Sequence, residues 1–190
     1  INFVLIPISF IFTNLPSLIL GKSIVNVLKI YSSQIDQYQM LSLNYPNIYT
    51  FIMGDYKYFK NFGIYLTIAI LGILTIVILY NKWEIKNGNI LSIALLTSYI
   101  CLYFLPSMHE RYGYILDILS VIYTIVKWNQ IYISLLANFV SLVSYMEVLH
   151  GGDVFNWSII ALINGIVLIV LFKFVLEDLR VSNTKINTKI

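Results

Sequence analysis

Six apolar runs separated by short polar stretches dominate the chain: residues 1–20, 61–80, 89–105, 113–127, 130–148 and 157–176. A helix needs about 20 apolar residues to cross the hydrocarbon core of a bilayer, and a run of 18 or more is the mark of such a helix. The pattern therefore predicts an all-α fold, a polytopic transmembrane helical bundle of about six segments that span or nearly span the membrane. Pro7 and Pro16 fall inside the first run and are expected to kink it, which membrane helices tolerate. The fourth and fifth runs are short and nearly contiguous, which predicts a tight helical hairpin or a partly re-entrant pair.

Residues 21–60 break the pattern. They hold Lys22, Lys29, Asp36, Asp55, Lys57 and Lys60 among many Gln, Asn and Tyr residues, too much polarity for a span. Ile24, Val25, Leu28, Tyr31, Ile35 and Tyr38 recur at helical spacing, the pattern of an amphipathic helix lying at the membrane interface. A turn is expected at Asn44-Tyr45-Pro46-Asn47. The last 14 residues, EDLRVSNTKINTKI, read as a polar tail, disordered towards its end.

Composition agrees with a membrane protein. Of 190 residues, 59% are hydrophobic and 11% charged, with a mean hydropathy of +0.82. Soluble domains carry about 25% charged residues, and this chain has too few to cover a soluble surface. The net charge of +3 is small and its Lys and Arg are scattered, so no nucleic-acid partner is expected. The single cysteine, Cys101, sits in an apolar run and reads as a packed small hydrophobe. The chain opens on Ile1 and at once on apolar sequence, without the charged start of a signal peptide; it is expected to be the C-terminal part of a longer polytopic protein.

Charge also suggests orientation. Arg180, Lys185 and Lys189 lie in the tail, Lys173 near its membrane end, and Lys82 and Lys86 in the loop at 81–88. By the positive-inside rule, the C-terminus is expected in the cytoplasm of a multi-pass cell-membrane protein, with the 81–88 loop and Lys127 on the same side. Region 21–60, the cluster after Pro106 and the loop containing Asp153 then share the extracytoplasmic side. Many of the 15 Tyr residues lie near segment ends, as in an interfacial aromatic belt.

The chemistry is concentrated in His109-Glu110-Arg111-Tyr112. Ionisable groups at a membrane boundary are costly unless they pair or bind something. An Arg beside a His can hold a phosphate, the Arg bidentately, while Glu110 can orient either cation or accept from sugar hydroxyls. The bland alternative is an interfacial ion pair anchoring a helix end. If a helix starts near residue 109, Glu110, Tyr114 and Asp117 share one face, and Arg111 and Tyr114 are candidate partners for Asp117. Gln34, Gln37, Asn44 and Asn47 are candidate sugar-binding amides. No metal site and no cofactor is expected: His109-Glu110 starts like the HExxH zinc motif, but Gly113 stands where the second His belongs. His150 with Asp153 reads better as a polar turn than as a metal site. Glu147, near a run's end, faces either the interface or a transport path.

Two stretches carry a resemblance. Tyr31-xx-Gln34-xxx-Tyr38-xx-Leu41-Ser42-x-Asn44-x-Pro46-Asn47-x-Tyr49 resembles a loop region of bacterial integral membrane proteins similar to the GPI mannosyltransferase II family, and Leu105-Pro106-x-Met108-His109-Glu110-Arg111-Tyr112 resembles their late MHERY motif. A His-Glu-Lys variant of the latter occurs in ER glucosyltransferases that use dolichyl-phosphate glucose. With the hydrophobic pattern, the resemblance covers most of the chain. It implies a GT-C type glycosyltransferase that transfers a sugar such as mannose from a polyprenyl-phosphate donor to a glycan or lipid acceptor of the cell envelope, at the extracytoplasmic face of the bilayer. His109 and Arg111 would then lie at the donor phosphate, organised by Glu110, with Tyr112, Tyr114, Asp117, Gln34, Asn44 and Asn47 as orienting or sugar-binding positions. The family's catalytic acid lies in its first extracytoplasmic loop, which has no counterpart here. Two other readings remain: a transporter or flippase-like protein for a lipid-linked substrate, resting on Asp117 and Glu147, and a non-catalytic membrane scaffold.

Overall fold

Apolar runs nearly free of charge fold as helices in a membrane because only a helix satisfies every backbone amide within one segment. A computed structural model describes residues 2–34, 38–52, 54–85, 87–151 and 155–187, and each of the six apolar runs is helical in it. The helices are α1 (Asn2–Ile19), α3 (Tyr56–Tyr80), α4 (Asn87–Phe104), α5 (Gly113–Val126), α6 (Ile131–His150) and α7 (Trp157–Asn187), with α2 (Ile24–Gln34) in the polar region. Among the described residues, three helices are long and apolar enough to cross a membrane, within Tyr56–Tyr80, Trp128–His150 and Trp157–Val181. The count is up to four if α1 and α2, bent by 111° across a short break, form one span. α4 is a shorter apolar helix and α5 has 14 residues, about 21 Å at 1.5 Å per residue. A count of three to four full-length spans thus stands in place of the expected six.

The chain divides into two compact units, residues 1–39 and 40–190. In the first, α1 runs unbroken through Pro7 and Pro16. Much of its apolar surface is exposed, including Ile6, Phe12 and Ile19. α2 carries the helically spaced residues 24–31; Ile35, Asp36 and Gln37 lie outside the described residues.

In the second unit, α4 packs against α3, α5 and α7, and α6 against α5 and α7. Leu95, Leu96, Tyr99, Leu116, Tyr123, Ile133 and Leu171 lie fully buried at the centre. The α5–α6 hairpin turns through a short 3-10 helix, Trp128–Gln130, where the Tyr123 hydroxyl donates to Gln130 Oε1. Its interface is lined with small polar residues. Ser120 Oγ and Ser134 Oγ are 3.2 Å apart, and Asn138 Nδ2 donates to Ser120 Oγ at 2.9 Å. Small side chains let membrane helices approach closely, and hydroxyls supply the interhelical hydrogen bonds.

Two boundaries differ from the sequence reading. α3 starts five residues early because Asp55 caps it, its side chain accepting from the Lys57 amide at 2.9 Å. α7 continues through the expected tail as far as Asn187. Val175 and Leu179, one turn apart, are fully buried. Asp178 accepts from Lys127 Nζ at 2.8 Å, and Asn183 Oδ1 accepts from the Glu84 amide at 2.9 Å. Residues 177–187 of the expected polar tail are therefore helical and held against the two loops at that end of the bundle, and 188–190 lie outside the described residues.

Candidate functional site

The site is built where α4 ends. Pro106 stops the helix, and Ser107 adopts a left-handed conformation, φ 59°, that turns the chain sharply. Ser107 fixes the preceding loop with two bonds: its amide donates to Leu41 O at 2.9 Å and its hydroxyl to Met40 O at 2.8 Å. From there the chains run side by side. Ser42 pairs with Met108 and Leu43 with His109 as two short parallel strands. The two stretches that carry the family resemblance are thus in register contact.

Beyond the pairing, the loop turns where the sequence suggests. Asn44 is exposed at φ 57°, a conformation asparagine tolerates better than most residues. Ser42 Oγ donates to Tyr45 O at 2.6 Å. Asn47 is fully buried and caps a 3-10 turn, Ile48–Phe51, by accepting from the Tyr49 amide at 3.0 Å. Its Nδ2 has no partner among the described residues. Tyr49 OH donates to Phe104 O at 2.6 Å, satisfying a carbonyl that the end of α4 leaves open. Burial pushes the Tyr49 phenol up to about 12 and raises that of Tyr45. Gly63 of α3 makes room for this contact, because a Cβ there would collide with the Tyr49 hydroxyl.

One residue that the sequence reading passed over holds the loop from below. Asn164 of α7 is fully buried. Its Nδ2 donates to Pro46 O at 2.7 Å and its Oδ1 accepts from Tyr99 OH at 2.6 Å. The signal was present: a lone amide inside the apolar run IALINGIVLIV, where a polar side chain must find partners in the protein.

The ionisable cluster sits on this platform. His109 Nδ1 lies 3.7 Å from a Glu110 carboxylate oxygen, and its ring meets Tyr112 edge-on at 5.5 Å. Both His109 and Glu110 are largely buried. Glu110–Tyr112 form a 3-10 turn leading into α5. Arg111 in that turn is exposed, and its guanidinium has no hydrogen-bond or ion-pair partner among the described residues. A cation at a helix start, where the helix dipole also favours negative charge, makes this edge attractive to an anion.

Further along α5 the placement differs from the expected face. Tyr114 points outward and is exposed, so it does not join Glu110 and Asp117. Arg111 and Tyr114 are not the partners of Asp117. Ser141 of α6 and the Tyr45 ring instead close over Gly113, one turn before it.

Of the remaining candidates, Gln34 ends α2 in the first unit with its side chain outside the described residues, as Gln37 is entirely. Asp153 also lies outside them; His150 Nδ1 lies 2.9 Å from Met146 O. Glu147 is buried and accepts from Trp157 Nε1 at 3.1 Å, tying α6 to the start of α7. Among the described residues no cluster of three or more His, Cys, Asp or Glu residues is arranged to hold a metal ion. No protein-family model, no curated protein and no solved structure matches the chain.

Proposed function

We propose that the chain is part of a membrane-embedded glycosyltransferase that takes a sugar from a polyprenyl-phosphate donor at the extracytoplasmic face. The observation that carries this reading is the strand pairing of Ser42–Leu43 with Met108–His109. It joins the two stretches that resemble the family and leaves Arg111 exposed and without a partner among the described residues. Arg111 and His109 bind the donor phosphate, Arg111 as the fixed charge and His109 as a donor held by Glu110. Asn44, exposed at the loop tip, and Tyr112 border the sugar. The proposed role of the residues described is donor binding. In this reading α4 and α5 are embedded segments beside the three long spans, and the C-terminus is cytoplasmic.

The test is sugar transfer from a polyprenyl-phosphate donor by the full-length protein. Arg111→Ala is expected to lower it about 100-fold, the scale for removing one preorganised group that stabilises charge, with a smaller loss for His109→Ala. Unchanged transfer in both variants would sink the proposal. A transporter is the second reading, favoured by Asp117, whose Oδ1 is buried without a hydrogen-bond partner among the described residues; it predicts substrate flux without sugar transfer, altered by Asp117→Asn.

A further inference from the structure

The two strands that meet at the ionisable cluster are too short to set their own register. Each has two residues, Ser42–Leu43 and Met108–His109. Side chains alternate along a strand, so a slip of one residue turns the strand over and sends each side chain to the opposite face. For Met108–His109, such a slip would carry the His109 ring away from the Glu110 carboxylate, now 3.7 Å from Nδ1, and from Tyr112. The pairing must be fixed from outside the strands.

A clamp stands immediately before it. The Ser107 amide donates to Leu41 O at 2.9 Å, and the Ser107 hydroxyl to Met40 O at 2.8 Å. Two donors on one residue hold two consecutive carbonyls of the facing segment, which fixes both its position and its rotation as it enters its strand. The same hydroxyl oxygen lies 3.5 Å from the Tyr56 hydroxyl at the start of α3. The arrangement places Ser107 at φ 59°, a left-handed conformation that a Cβ disfavours and glycine adopts freely. For the turn alone, glycine would serve better. What serine adds is the bond from its side chain.

We propose that Ser107 is a positioning residue: its hydroxyl sets the register of the two strands and thereby aims His109 at the donor. The register follows from the geometry of the clamp, while its effect on transfer rests on the donor-binding reading.

Two measurements on the full-length protein test the two halves separately. Ser42→Cys with Met108→Cys, in a Cys101→Ser background, puts thiols on directly paired residues, at a separation a disulfide can bridge. Mild oxidation should cross-link them, and adding Ser107→Ala should slow the reaction severalfold; equal rates overturn the proposal. The second measurement is transfer from polyprenyl-phosphate mannose. In both Ser107→Ala and Ser107→Gly, kcat/KM for the donor should fall about tenfold, the scale of one hydrogen bond. Their Tm values should part, the glycine variant being the more stable because its backbone relaxes. Activity that follows Tm instead, near wild type in Ser107→Gly and low in Ser107→Ala, makes the residue a plain turn former and overturns the proposal. In a His109→Ala background, Ser107→Ala should cost less than in the wild type, because its effect runs through that ring; an undiminished loss there overturns it as well. Wild-type transfer in both Arg111→Ala and His109→Ala would instead sink the donor-binding reading, and the cross-linking rates would then decide the register by themselves.

Discussion

Asn164, outside both motifs, holds the loop from below. Its two hydrogen bonds join α7, α4 and the loop, and both partners are buried. Asn164→Leu strands the Tyr99 hydroxyl and the Pro46 carbonyl, and each buried polar group left unpaired costs about 1–3 kcal/mol. A loss of about 3 kcal/mol is expected, read as a lower thermal unfolding temperature. Tyr49→Phe removes one bond, to Phe104 O, at about 1 kcal/mol. At this scale the sequence was partly legible. His109, Glu110 and Arg111 stand out because charge is rare near membrane segments. Ser141 does not, because Ser is ordinary in such helices and acquires meaning only from what lies opposite.

The same division holds for elements. All six apolar runs are helices because hydropathy alone dictates that outcome in a bilayer. The paired strands at 42–43 and 108–109 have two residues each, too few to show a periodicity, so nothing local announces them. The extension of α7 was hidden by Glu177, Asp178 and Arg180, which read as tail. Their helix buries Val175 and Leu179 on one side, a stripe too narrow to outweigh the surrounding charge in a hydropathy window. Packing of α5 on α6 depends on Gly113. Gly113→Ala drives a Cβ against Ser141 and Tyr45 and should cost about 1–3 kcal/mol. Gly72→Ala in α3 meets nothing within 4 Å and should be neutral or slightly stabilising. Parallel thermal unfolding of the two variants measures the contrast.

For the whole molecule, the positive-inside rule sets the expected orientation: the ionisable cluster outside, and the end of α7 with Lys127 and the loop at 81–85 inside. Cysteine introduced at position 109 in a Cys101→Ser background should react with an impermeant reagent added from the extracytoplasmic side. Labelling there from the cytoplasm alone would reverse the topology, and with it the face at which a lipid-linked donor is met. Fold class was legible at this scale from composition and run length. The number of full spans was less so, because α4 is a short helix shielded by its neighbours and α5 has only 14 residues, and hydropathy cannot tell shielding by protein from immersion in lipid.

The bond from Asn164 to Pro46 crosses 118 residues of chain. During synthesis at 5–20 residues per second, the loop emerges about 6–24 s before the amide that anchors it. The platform under His109 and Arg111 is thus among the last parts of the bundle to be completed. A nascent chain stalled or cleaved within α6 would have inserted the motif without the support that fixes it. Quality control acting on this protein would find its signal in that unanchored loop.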